Sequence, residues 1–415
     1  MYIEVEGGGK AAGELTVQGS KNAVLPMIAA AVLCRQTTIL ENCPKIQDVY
    51  SMVAVLRSVG AGVRWEEDKL IINAETVDTG KIIQKEAGEL RASVLFLGSM
   101  LGRIGEAEIC MPGGCSIGAR PVDYHLQAFE TLGVRSEQRE NSIFCKREHH
   151  GKQKVHLPYP SVGATENVIL FAVCRNEKTV LENAAREPEI IELCNLLRKM
   201  GGGISGDGSS RIVIEGGKEL HGVTYRLKTD RIAFITYAAM AAATGGSAYL
   251  NVFGETFDTE KMYLACTGCR IDSEPGRVFV SGKEGIRAIP FIRTGPYPEF
   301  PTDAQSLFLA LLSRAYGESV VEESVFENRF LVAAQLRKMG ADIEVAGQRA
   351  CIRGVTKLHG EQVETTDLRS GAALLLAGTM AEGKTMVTRP ELILRGYETP
   401  VENMQSLGLR ARYVV

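Results

Sequence analysis

Long apolar runs are missing from this sequence. Of its 415 residues 45% are hydrophobic, yet no stretch reaches the roughly 20 residues that a membrane-spanning helix needs. No charged, apolar, small-residue signal pattern opens the chain. Aromatic residues make up only 6%, with one tryptophan, and the formal net charge is −3. The aromatic interleaving and basic stripe of a nucleic-acid binder are therefore absent. The expectation is a cytoplasmic globular protein with no nucleic-acid and no membrane partner. Ten cysteines over this length are too sparse for a small disulfide framework. Cys266 and Cys269 form a CxxC, but a second CxxC and a histidine at ligand spacing are lacking, so no metal site is expected. Walker A and GxGxxG patterns are also missing. Gly7-Gly8-Gly9 reads as a turn after the first strand, and His149-His150 as an exposed turn.

What the chain does contain is a repeat. A helix ending in a Leu-x-x-x-Gly type turn recurs, with its glycine at Gly60, Gly133, Gly201, Gly268, Gly340 and Gly408. The spacings are 73, 68, 67, 72 and 68 residues, so one unit of about 70 residues occurs six times. LRKMG at Gly201 is duplicated at Gly340. The Cys266–Cys269 pair straddles Gly268, which favours a plain helix-end turn there.

Each unit carries a second helix, opening near Ser20, Arg91, Thr165, Asp230, Asp303 and Asp367. After its first turn each is apolar on nearly every face, the mark of a buried helix. Between them lie short alternating runs such as TTILENC, AEICMP, KTVLENA, SAYLNVF, ESVVEES and KTMVTRP, which read as half-exposed strands. Buried helices with one-sided strands predict an α/β fold turned inside out, helices within and sheets facing water. Six units suggest two domains of three, 21–229 in one and 1–20 with 230–415 in the other. A ligand is expected in the cleft between them.

Two features suggest a site. The stretch from Met111 to His125, MPGGCSIGARPVDYH, places Cys115 after two glycines and before Arg120, Pro121 and Asp123. Glycine and proline favour a mobile loop, and a nearby cation favours the reactive thiolate. The competing reading makes Cys115 one more small core residue. The second feature is the polar opening of the apolar helices. Capping accounts for Thr302 and Thr366. It does not account for Lys21, Arg91 or Arg369, because a cation is unfavourable at the positive end of a helix dipole. Something negative is expected there, and Ser161-Val162-Gly163-Ala164 reads as one anion-binding helix start. With Arg395 in LRGYE, the set comprises four or five cations, a loop cysteine and at least one carboxylate, which suits small anionic substrates.

These residues resemble a known family along essentially the whole chain. GSKNAVLP at 19–26, RAS at 91–93, PGGCSIGARPVD at 112–123, SVGAT at 161–165 and ENAAREPEI at 182–190 carry the resemblance, with YPEFPTDAQ at 297–305, FENRF at 326–330, TDLRS at 366–370 and RGYE at 395–398. The family is that of the enolpyruvyl transferases acting on UDP-N-acetylglucosamine. The resemblance implies two domains of three repeats with helices inside, and transfer of the enolpyruvyl group of phosphoenolpyruvate to the sugar 3′-hydroxyl with loss of phosphate, the first committed step of peptidoglycan synthesis. It implies no metal, no organic cofactor and no obligate protein partner. Lys21, Arg120 and Arg395 would hold the substrate phosphate, joined by Arg369. Asn22 and Arg91 would position ligand at the first helices. Arg120, Pro121, Val122, Asp123 and Tyr124, with Ser161, Val162 and Gly163, would hold the nucleotide, and Val325 would line its pocket. Asp303 would act as base toward the sugar hydroxyl or anchor it. Cys115 would protonate the methylene carbon, form an adduct, or control product release, and would be the thiol alkylated by fosfomycin.

Three positions depart from the family's pattern. Ala233-Phe234-Ile235-Thr236 stands where Glu, a small residue, Gly and Thr are usual. Glu299 replaces a Gly, and Tyr159-Pro160 stands where some members have a Lys. The altered 233–236 segment motivates one alternative, a non-catalytic paralogue that binds a UDP-sugar and regulates. Another acceptor such as shikimate is a further alternative, against which the SVGAT and RPVD stretches argue.

Overall fold

A computed structural model describes residues 1–83, 88, 90–111, 118, 122–254 and 257–415. Cys115, Arg120 and Pro121 lie outside the described residues. The fold is mixed α/β and divides into two compact units. One comprises Gly19–Gly114 and Arg120–Leu227, and the other includes Met1–Gln18 and Lys228–Val415.

Each unit holds three four-stranded sheets of one topology. In the first unit the sheet orders are Thr224–Arg226, Thr37–Glu41, Lys69–Asn73, Gly62–Glu66; then Lys81–Ile82, Glu106–Cys110, Ser142–Arg147, Val134–Gln138; then Lys154–His156, Lys178–Glu182, Arg211–Glu215, Gly203–Ser205. In every case the first pair is parallel and the rest antiparallel. The second unit repeats this order around Ser247–Asn251, Glu318–Glu322 and Lys384–Thr388. In its last sheet the place next to Lys384–Thr388 is filled by Tyr2–Glu6, with Tyr2 opposite Thr388 on one side and Val414 on the other. Ala12–Thr16 pairs in parallel with Ser247–Asn251.

The alternation seen in the sequence is the alternation of burial. Thr38 and Leu40 are buried on Thr37–Glu41 while Thr37, Ile39 and Glu41 are not, and the other five equivalent strands follow the same rhythm. The apolar helices Lys21–Ala30, Leu95–Arg103, Val162–Ala172, Arg231–Ala243, Thr302–Leu312 and Leu368–Met380 lose almost every side chain to the interior. One apolar core forms in each unit around three of them.

All six repeat glycines adopt positive φ, from +74° at Gly408 to +108° at Gly201. At Gly60, Gly201, Gly340 and Gly408 the following residue donates back to the carbonyl five positions earlier, as in Ala341 N to Leu336 O at 3.1 Å. This closure returns the chain from each amphipathic helix to its sheet and requires a left-handed residue. Cys266 is the last residue of the Asp258–Cys266 helix and Gly268 makes the turn at φ +88°, so the CxxC is a helix end.

Capping differs from the expectation at two helices. Ser20, Ser161, Asp230 and Asp367 accept from first-turn N–H groups. Thr302 does not cap its helix; its hydroxyl donates to Glu323 at 3.0 Å. Thr366 does not cap either, because Asp367 forms a capping box with Ser370 and Thr366 donates to that carboxylate. Thr366 is displaced from the role by a carboxylate that accepts more strongly, whereas Thr302 lies inside its helix with Pro301 at the cap position.

Two glycine substitutions should separate conformational from steric cost. A Cβ on Gly340 meets nothing closer than 3.5 Å, whereas one on Gly133 falls 2.3 Å from the His149 carbonyl oxygen. Gly340→Ala should cost roughly 1–2 kcal/mol from the left-handed backbone alone, and Gly133→Ala should cost more. Denaturation midpoints of the two variants check this.

Candidate active site

In the second unit the helix starts carry charge inward. Asp303 lies in the first turn of Thr302–Leu312 and is answered on both oxygens: Arg329 Nη2 donates to Oδ1 at 2.7 Å and Arg369 Nη2 to Oδ2 at 2.6 Å. Both arginines are buried, and Arg329 also reaches the Thr302 carbonyl at 3.3 Å and Asp367 at 3.6 Å. Burial works most strongly against the Arg369 charge, but Asp303, Tyr397 and Asp230 together outweigh it, and the net effect raises the proton affinity of that guanidinium. The cation that a helix dipole disfavours is thus stabilised by a carboxylate of the protein itself. Arg369 also lies over the ring of Tyr397 at 6.0 Å, and the Tyr397 hydroxyl meets Thr236 Oγ1 at 2.8 Å.

Arg395 is half-buried on the same RGYE stretch. That stretch is clamped from both sides by Gln18, whose amide donates to the Gly396 carbonyl at 3.0 Å and accepts from Glu398 N at 2.9 Å. Val325 is held by its backbone: its N–H donates to the buried Glu323 at 2.8 Å, and Phe326 N–H to the same oxygen at 3.1 Å. Ala233 and Phe234, the departures from the family's pattern, are core residues, with Phe234 stacked on Phe257 at 4.5 Å. Their neighbour Arg231 pairs with the buried Glu260 at 2.7 Å.

In the first unit Lys21 Nζ lies 3.0 Å from Asp48, both nearly buried. Asp48 sits in the first turn of the Gln47–Ser58 helix, where its charge suits the dipole. Asn22 follows Lys21 on the same turn and is half-buried. Arg91, also half-buried, opens the short Arg91–Val94 turn. Val122 precedes the Asp123–Thr131 helix, with Asp123 exposed in its first turn and Tyr124 stacked on Tyr159 at 6.5 Å and 22°. The Tyr159 departure therefore brings an aromatic partner. Ser161 caps Val162–Ala172, and Ser161, Val162 and Gly163 are all half-buried. Buried Glu166 shares this helix start; burial, then Glu189 and Glu187, raise its proton affinity.

Arg329, Glu323, Asp48 and Gln18 escaped sequence reasoning. Arg329 had a signal, since FENRF belongs to the matching stretches; the others are joined only by long-range contact. Among the described residues no cluster of three or more His, Cys, Asp or Glu side chains could hold a metal ion, and no helix is long and apolar enough to cross a membrane.

Comparisons with known proteins define the class. Residues 5–404 match the family model for EPSP synthase (3-phosphoshikimate 1-carboxyvinyltransferase). The chain is similar in fold to the enolpyruvyl transferase NikO from Streptomyces tendae, with a TM-score of 0.87 at 22% identity, covering 100% of this chain and 98% of that one. It is 42% identical to a UDP-N-acetylglucosamine 1-carboxyvinyltransferase of Thermotoga maritima, over 99% of this chain and 98% of the relative. It is 40% identical to UDP-N-acetylglucosamine 1-carboxyvinyltransferase 2 of Staphylococcus saprophyticus, over 98% and 97%. The chain belongs to the carboxyvinyltransferase family, and within it to the UDP-N-acetylglucosamine 1-carboxyvinyltransferases.

One pH dependence follows from His125, on the Asp123–Thr131 helix. Burial, then the Arg91 charge, push its pKa from 6.5 down to about 3. The unfolded chain takes up this proton near pH 6.5 and the folded chain only near 3, so stability falls as pH drops through that window. The slope is about 1.4 kcal/mol per pH unit from this group. The difference in urea midpoint between His125→Gln and the unaltered protein should therefore shift in favour of the variant from pH 7 to pH 5.

Proposed function

We propose that this protein transfers the enolpyruvyl group of phosphoenolpyruvate to the 3′-hydroxyl of UDP-N-acetylglucosamine, releasing phosphate, as the first committed step of peptidoglycan synthesis in the cytoplasm. The observation that carries this reading is the 42% identity over 99% of the chain to a relative of that name. The sugar oxygen adds to C2 of phosphoenolpyruvate while a proton adds to C3. Phosphate then leaves C2 as a proton leaves C3, restoring the double bond on the new ether.

Each group has a part in this scheme. Phosphoenolpyruvate carries a phosphate and a carboxylate, so its transition state calls for preorganised cations; Lys21, Arg120 and Arg395 take the phosphate, and Arg369 joins them. Asn22 and Arg91 position ligand. Arg120, Pro121, Val122, Asp123 and Tyr124, with Ser161, Val162 and Gly163, hold the nucleotide, and Val325 lines its pocket. Asp303 faces the sugar hydroxyl. With Arg329 and Arg369 on its two oxygens, it anchors the hydroxyl in the ground state and accepts its proton only by loosening one of these pairs. Cys115 is the thiol on the substrate loop and the target of fosfomycin. Each domain, 21–229 and 1–20 with 230–415, is an inside-out barrel of three repeats. The burial of residues 233–236 accounts for their altered sequence as core packing, which removes the motive for a non-catalytic reading.

Phosphate release should require both substrates together, and Asp303→Asn should lower kcat by about 10²-fold or more. Release without the sugar nucleotide, or none with both substrates, would sink the proposal. Cys115→Ala should abolish covalent labelling by fosfomycin, read by intact-protein mass; equal labelling would remove Cys115 from the role.

A further inference from the structure

The mechanism leaves one buried polar arrangement without a task. His125 is 5% exposed and its ring lies beside the start of the Val162–Ala172 helix. A Cβ on Gly163 would stand 3.1 Å from its Cε1 and 3.5 Å from its Nε2. The other ring nitrogen, Nδ1, lies 2.7 Å from Asn167 Nδ2.

The protonation of this ring is set by two backbone groups. Asn167 Oδ1 accepts from Gly98 N–H at 2.8 Å, and Asn167 Nδ2 donates to the Val94 carbonyl at 3.0 Å. An N–H can only donate and a carbonyl only accept, so the amide has one orientation. Its remaining Nδ2 hydrogen points at His125 Nδ1, which must accept. The ring proton therefore resides on Nε2. A charged ring would set two donors against each other, in line with the depressed proton affinity of this histidine. Gly98 is required here, because a Cβ would fall 2.7 Å from Asn167 Oδ1. Nε2 itself has no hydrogen-bond partner among the described residues. The first N–H groups of the adjoining 11-residue helix have no acceptor within that helix either.

We infer that Asn167 is a positioning residue that holds His125 neutral and protonated on Nε2, and that this Nε2–H donates to a diphosphate oxygen of the sugar nucleotide at the start of the Val162–Ala172 helix. The inference rests on the proposed reading of Ser161, Val162 and Gly163 as nucleotide-binding. Neutral donors at a helix start bind a diphosphate without adding a cation to a unit that already carries Lys21 and Arg91.

The test begins without substrate. The ring ¹⁵N–¹H spectrum of labelled protein at pH 7, with the His125 signals identified by their loss in His125→Phe, should show the proton on Nε2. A ring protonated on Nδ1, or charged, overturns the inference. Asn167→Asp offers Nδ1 an acceptor in place of a donor. It should move the proton to Nδ1 or charge the ring, and raise the KM for UDP-N-acetylglucosamine by about tenfold, with kcat and the KM for phosphoenolpyruvate within about threefold. An unchanged ring and an unchanged KM overturn it. If Asn167→Asp does not fold, His125→Phe and His125→Gln decide: Gln, whose amide nitrogen reaches the Nε2 position, should recover most of the affinity that Phe loses. Equal affinity in the two overturns the inference. Absence of turnover in the unaltered protein would sink the transferase reading and leave the ring spectrum as it stands.

Discussion

Every cation at the start of an apolar helix must be answered by negative charge, because the helix dipole and the surrounding core both disfavour it. Arg369 shows how this is met. Its counter-ion is Asp303, which is shared with Arg329, while Arg329 in turn touches Asp367, the cap of the helix that carries Arg369. Two helix starts are thereby tied by one cycle of charge. Lys21 and Asp48 make the simpler version in the other unit. A buried pair of this kind contributes little net stability, but removing one member leaves the other stranded. The charges of this arrangement are therefore held by the protein's own groups before any ligand arrives.

The polar residues that break into the apolar helices follow the repeat. Asn167 and Thr236 each stand six residues past their caps, Ser161 and Asp230. One reaches His125 and the other Tyr397, so the same step of two related helices supports a residue of a neighbouring segment. The core thereby orients side chains next to the candidate site with hydrogen bonds that water does not compete for.

Much of the architecture was legible because it is periodic. The six turn glycines could be read from spacing, and each has the positive φ that a helix-end turn demands. Alternation in strands such as KTVLE survived as alternation of burial. The helix-start cations were legible as anomalies. The partner of Lys21 was not, since Asp48 meets it across a contact that no local pattern announces, and Gln18 reaches the RGYE stretch in the same way. Capping was misjudged at Thr366 because Asp367 takes the N–H groups of that helix, and at Thr302 because Pro301 holds the cap position and Thr302 is already helical. The unusual 233–236 segment looked like a change in the site, yet the structure gives Ala233 and Phe234 to the core.

The placement of Tyr2–Glu6 has a consequence for how the protein is made. This strand is made long before the strands on either side of it, Lys384–Thr388 and Arg410–Val414. The unit ending at Leu227 is sealed much earlier, when Thr224–Arg226 pairs with Thr37–Glu41. Synthesis thus supplies every strand of one unit while Tyr2–Glu6 still lacks both of its neighbours.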